Sequence, residues 1–359
     1  MNDQLMYILN QISKIDYLLL IEAFSPTIGF FVGNSIGTHM RLHKDFKPKD
    51  ISKVSIPSEL KQKYSSVDIN QIASDQFKEI TLEFASLMIE KFPLTALINF
   101  YNNINELKIE RKRRILILGE AGAYSGKFNK IKIAITSAIF HELFHMASAI
   151  YKEESDIYYC GFSQRSLKDN SVDIGDGLNE GYTELLAHRY FEKKHKMSKA
   201  YKFEVVIAEK LEKIIEQDKM EILYLNADLP GLIAELKKYI SEEEISKFIS
   251  ALDFISCHSN DILIFKNDKI KKSIINIYEF LFKTYMSKLK QQLENRKISV
   301  NDFIEQSTQY IESLRTSVRV GGHNYEFLTM DKLLENWKSI SDVSKLPNDI
   351  QDITSNFKR

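Results

Sequence analysis

The chain has two cysteines, one tryptophan and six prolines in 359 residues, and each shortage excludes something. Cys160 and Cys257 are too few for a disulfide framework and too far apart for a zinc ribbon, so both are expected as small buried apolar residues. Lys plus Arg and Asp plus Glu are 49 each, giving a formal net charge of zero. Without a bulk field of either sign, nothing draws the chain toward nucleic acid or an anionic membrane surface. No apolar run approaches the roughly 20 residues a spanning helix needs. The opening residues, MNDQLMYILNQISKIDYLLLIEAF, lack a basic start and a small-residue cleavage site, so no secretory signal is expected and the expected compartment is the cytoplasm. Export that needs no signal stays open.

What the chain does have is length enough for a large core and a pattern that changes along it. Over 16–31 an apolar helix end runs into a Pro-Thr-Ile-Gly turn, a short strand follows at 30–34, and the Lys-rich 43–66 reads as connection. Apolar residues over 67–101 recur at helical spacing until Pro93 interrupts them, predicting one long helix and a shorter successor. Residues 115–118 and the alternating 130–135 read as two strands joined by the Gly-rich loop GEAGAYSGKFN. A helix over about 138–151, capped by Thr136 or Ser137, comes next. The polar 152–177 reads as loop, and a second helix starts with Asn179 as its cap. Amphipathic helices follow, including 205–215, 232–240, 243–254 and 274–289, and the segment around His323 is a turn or short strand. The expected class is α+β, predominantly helical, divided as 1–110, 111–198 and 199–359.

The helix over 138–151 carries His141-Glu142-Leu143-Phe144-His145. Residues four apart lie one turn above each other, so both imidazoles can reach one ion while Glu142 points to a water beside it. A catalytic zinc needs a third protein ligand and an open position. In Leu178-Asn179-Glu180-Gly181-Tyr182-Thr183-Glu184 two carboxylates share a helical face, so Glu180 can complete the ligand set while Glu184 orients a ligating imidazole from behind. Asp156, Asp173, Asp176 and His188 are alternative third ligands. His39 and His43 share the four-residue spacing but have no acidic neighbours, and a surface role is expected for them.

These two segments resemble the gluzincin zinc metallopeptidases, whose pattern is a His-Glu-x-x-His helix followed by a helix bearing a glutamate ligand in an Asn-Glu context, with an acidic residue four positions on. The resemblance covers about 111–191. It implies a zincin-like core with a small mixed sheet, one Zn2+ per chain on His141, His145 and Glu180, and Glu142 as general base. A metzincin would need Gly and His three and six residues beyond His145, where Ser148 and Tyr151 stand. No GxMEN-like motif is present, which favours an endopeptidase.

The expected activity is therefore hydrolysis of a peptide or protein by a zinc-activated water. The strand over 130–135 is expected at the edge of the sheet beside the site, where it could pair with extended substrate. Gly122, Tyr124 and Gly126 would form the rim, with Tyr124 a substrate contact. The other class the residues allow is a non-catalytic scaffold that binds metal or a partner. Oligomeric state has no signature in the sequence.

Overall fold

The computed structural model describes residues 75–111, 121–166, 173–197, 200–259, 268–314, 318–320 and 323–325. The features expected over 16–34, the connection over 43–66, the strand over 115–118 and the pair His39 and His43 lie outside these residues. The described residues are predominantly helical with small sheets.

Helix α1 (Asp75–Lys91) stops before Pro93, which has no N–H to continue it. A 3-10 turn, Leu94–Ala96, leads into α2 (Ile98–Ile104). Strands β1 (Lys108–Arg111), β2 (Gly122–Ser125) and β3 (Lys130–Ile133) form a sheet in the order β1-β3-β2, with β1 parallel and β2 antiparallel to β3. Ile109, Ile131 and Ile133 are buried on one face.

This sheet corrects two expectations. The strand expected at the edge, β3, is central; the edge belongs to β2, inside the stretch expected to be a loop. Glycine and alanine have weak strand preference, and here backbone pairing to β3 overrides it. Gly122 also has a steric reason to be glycine: a Cβ there would lie 2.8 Å from the Glu142 side chain and 3.0 Å from Ile133 Cδ1. The strand can therefore pass close against the next helix, α3 (Ile139–Ala147).

Every residue of α3 is buried, so it reads as a core helix. It begins from a 3-10 turn, Thr136–Ala138, without the Thr136 or Ser137 side-chain cap expected. It also ends four residues early, because 149–152 is committed to a strand. Strands β4 (Ala149–Lys152), β5 (Ile157–Cys160) and β6 (Ser163–Ser166) make an antiparallel meander, β4 in the expected helix end and β5 and β6 in what was expected to be loop. Ile157, Tyr158 and Tyr159 have the β-branched and aromatic character that strands favour, and cross-strand pairing uses it.

Helix α4 (Asp176–Phe191) follows Gly175, whose φ of 84° places it in the left-handed region. Asn179 is thus not the cap but lies within the first turns, where its Oδ1 accepts the N–H of Phe162. The first amides of α4, buried and without helical partners, are served from a distance: Gly175 N and Gly177 N donate to the two carboxylate oxygens of Asp253, at 2.9 and 2.8 Å.

The remaining helices are α5 (Lys202–Ile215), α6 (Gln217–Leu225), α7 (Leu229–Leu236), α8 (Glu242–Ser259), α9 (Asp268–Glu294) and α10 (Val300–Ser313). A hairpin of β7 (Val318–Val320) and β8 (His323–Tyr325) follows, as the segment around His323 suggested. The four helices expected after residue 199 coincide with α5, α7, α8 and α9, with shifted ends. Glycines bring α4 close to two of them. A Cβ on Gly177 would lie 2.6 Å from Leu252 O of α8, and one on Gly181 2.5 Å from the backbone of Glu204 in α5.

The core beside α3 is aromatic. Phe140 stacks on Phe191 with centroids 3.8 Å apart, and Phe84 meets Phe144 edge-on at 5.0 Å, so α1, α3 and α4 are held in one cluster. Among the described residues, no helix is long and apolar enough to cross a membrane.

Candidate metal centre

Helices α3 and α4 bring together the three residues expected as ligands. His141 Nε2 lies 3.1 Å from Glu180 Oε2, His145 Nε2 lies 3.4 Å from the same oxygen, and the two Nε2 atoms are 3.0 Å apart. An ion bound tetrahedrally at about 2.0–2.1 Å from each donor places donor pairs about 3.3 Å apart. The three atoms thus already stand at the spacing of a metal's coordination edge. Their chemistry fits as well: two imidazole nitrogens and one carboxylate oxygen suit a borderline divalent cation. Two imidazole nitrogens 3.0 Å apart cannot both carry hydrogens, so at most one of the two Nε2 atoms is protonated when nothing lies between them.

Each donor is held from behind. His141 Nδ1 lies 2.9 Å from Glu184 Oε2, and Glu184, only 1% exposed, also faces His188 Nε2 at 3.3 Å. The carboxylate accepts the Nδ1 hydrogen and turns Nε2 toward the cluster. His188 faces Glu184 and Glu192 and stays outside the donor cluster. The aspartates that were alternative ligands are occupied elsewhere. Asp156 accepts from Tyr151, Asp173 from the amide of Ser166, and Asp176 from Arg165.

His145 has a different surrounding. Its Nδ1 lies 3.3 Å from Cys160 Sγ, 3.4 Å from Asn179 Nδ2 and 3.5 Å from Thr183 Oγ1. Cys160 is buried as expected, but against a polar group; Cys257 is exposed, contrary to expectation. Nothing in the sequence marks Cys160, because fifteen residues and a strand turn separate it from its partner.

Burial disfavours charge on His141, but its bonds to Glu180 and Glu184 outweigh this and raise its pKa to about 9 without metal. Burial opposes ionisation of Glu180 as well, yet the two imidazoles hold its carboxyl well below the usual range. Glu142 is 6% exposed, and burial raises its pKa despite both imidazoles and the backbone N–H of Tyr124. It lies against Gly122 on β2, next to the donor cluster but not part of it.

Tyr124 is half-buried. Its hydroxyl donates to Asn129 Oδ1 at 3.0 Å, and its backbone amide is what reaches Glu142. A second tyrosine, unmarked by the sequence, faces the centre. Tyr201 stacks on His141 with centroids 5.6 Å apart and planes 14° from parallel, and its hydroxyl bonds Glu180. The charge of Glu180, then burial, raises its pKa, so it stays a hydrogen-bond donor across the neutral range.

Comparison with protein families, with characterised proteins and with solved structures finds no match to this chain.

Proposed function

We propose that this protein is a zinc-dependent peptidase of gluzincin type, holding one Zn2+ on His141, His145 and Glu180. The observation that carries this reading is the spacing of the three donor atoms, 3.0–3.4 Å, with a buried carboxylate beside them. A zinc ion held by these three residues would supply Lewis acidity to a water and to the carbonyl to be cleaved, with the water's pKa brought toward about 7.

The chain's own groups supply the rest. Glu142, with its raised pKa, takes a proton from the attacking water and passes it to the departing amine. Glu184 fixes the His141 ring. Tyr201 turns its hydroxyl hydrogen from Glu180 to the oxygen on which charge develops. Among the described residues β2 has a free edge, and an extended peptide adding to it would pass Glu142 at Gly122. Tyr124, on that strand, contributes mainly through its backbone.

The experiment is metal analysis combined with cleavage of a random peptide library. The purified protein is expected to carry one zinc per chain and to cleave in a chelator-sensitive way. Glu142→Gln is expected to keep the zinc and lose the cleavage. A zinc-loaded Glu142→Gln protein that still cleaves would remove Glu142 from its role, and a protein that takes up no zinc would remove the reading.

A further inference from the structure

His141 and His145 are alike in sequence context but are held by different chemistry, and the difference lies at Cys160. Three groups surround His145 Nδ1, and they do not ask the same thing of it. The Asn179 amide is oriented by Phe162 N–H, which donates to its Oδ1 at 3.2 Å; its Nδ2 therefore offers a hydrogen to Nδ1 and favours a bare Nδ1. Thr183 Oγ1 gives its own hydrogen to Asn179 O at 2.6 Å and lies 2.6 Å from the Tyr224 hydroxyl, so at 3.5 Å it is a weak acceptor for Nδ1. Cys160 Sγ is the nearest, at 3.3 Å, and it lies 3.4 Å from the His145 carbonyl oxygen. A thiol has one hydrogen to give and lone pairs to receive, so S–H can point to that carbonyl while sulfur accepts Nδ1–H. For sulfur, a larger atom, 3.3 Å is close contact; for two nitrogens, 3.4 Å is at the outer limit of a hydrogen bond.

We propose that Cys160 is a positioning residue of the metal centre: its sulfur accepts the Nδ1 hydrogen of His145, leaving Nε2 bare toward His141 and Glu180. This rests on the metal reading for its consequence but not for its geometry. The pair of rings is then polarised unequally, His141 by a carboxylate and His145 by a sulfur. Cys160 is 1% exposed on the central strand of the β4–β6 meander, paired to Ala149 and Ser163, so the sulfur is held by backbone on both sides. The meander thereby has a task at the centre without contributing a ligand.

Two measurements test this. Nitrogen-15 NMR of the metal-free natural protein, followed upward in pH until the His145 ring is neutral, reads the hydrogen on that ring directly and needs no variant. Nδ1–H with bare Nε2 is expected; Nε2–H with bare Nδ1, the arrangement Asn179 would favour, would overturn the assignment. Zinc affinity by chelator competition is the second readout, with circular dichroism as the folding control. Cys160→Ala is expected to bind zinc about 10–100-fold more weakly, the usual loss when a ligand's supporting partner is removed. Cys160→Ser, which restores a donor and acceptor, should recover most of it. A folded Cys160→Ala protein with unchanged affinity would overturn the role. If even the natural protein binds no zinc, the peptidase reading fails, while the NMR result still decides where Cys160 stands.

Discussion

His141 shows what burial beside two carboxylates does to one side chain. Its pKa in the metal-free folded state is about 9, against an unfolded value of 6.5, so the folded protein holds the proton more tightly. A raised value of this sign stabilises the fold fully below pH 6.5, and the contribution is lost as pH rises through about 9. Its size is at most about 3 kcal/mol. Thermal melts of the metal-free protein should therefore show a falling midpoint across that window, and a rising midpoint would contradict the pairing. Zinc displaces the same proton, so its apparent affinity should climb over the same range. At Tyr201, substitution by Phe removes the hydroxyl but keeps the ring on His141. Steady-state kinetics should show kcat lower by about 10²–10³-fold, with KM and zinc content little changed. An unaltered kcat would leave Tyr201 with a packing role only. At this scale the sequence was informative where the residues of the candidate site share a helix, as in His141 with His145 and Glu180 with Glu184. Cys160 and Tyr201 were illegible because nothing local ties them to the centre; only chain folding brings them there.

Among elements, α4 matters most, because it carries Glu180 and Glu184 yet begins without a cap of its own. Asp253 of α8 binds the amides of Gly175 and Gly177 and places a negative charge at the helix start. Asp253→Ala leaves two buried amides unserved, at a cost of about 2–4 kcal/mol. Denaturant unfolding should show that loss, and zinc affinity should fall with it because Glu180 sits little more than one turn inside the helix. Stability unchanged within error would show that another group takes over the cap. The α3 and α4 segments were legible from periodicity and from the spacing of their polar residues. The strands were read less well. Residues 122–125 look like a flexible turn because Gly and Ala prefer no strand, and 157–166 look polar because two tyrosines and several hydroxyls obscure the alternation. In both cases hydrogen bonds to a neighbouring strand, absent from any local window, decide the matter.

For the molecule as a whole, the His141, His145 and Glu180 cluster, the candidate metal centre, joins α3 to α4, and α4 is clasped by α5 and α8 through Gly181 and Gly177. A cation that bridges α3 and α4 should therefore act on the global fold. With free zinc at 1,000 times its dissociation constant, stabilisation is about 4 kcal/mol, provided the unfolded chain does not bind it. The melting midpoint should rise by several degrees on zinc addition and return on chelation, and His141→Ala should abolish the response. A midpoint indifferent to zinc would separate the centre from the fold. Among the described residues the helices after residue 199 add no donor to the cluster, but they place Tyr201 over His141 and supply Asp253 to α4. Their positions in sequence were predictable from apolar spacing, since burying one face is a local pattern with a 3.6-residue period.

The sequence by itself determined the helical bulk and the two helices that carry His141, Glu142, His145, Glu180 and Glu184, because helix geometry converts spacing into shared faces. The tertiary structure alone decided that β2 is the edge beside Glu142, that three aspartates are occupied elsewhere, and that Cys160 and Tyr201 face the two imidazoles. Those facts depend on contacts between segments far apart in the chain, whose energies come from pairing and packing rather than from the preferences of either segment.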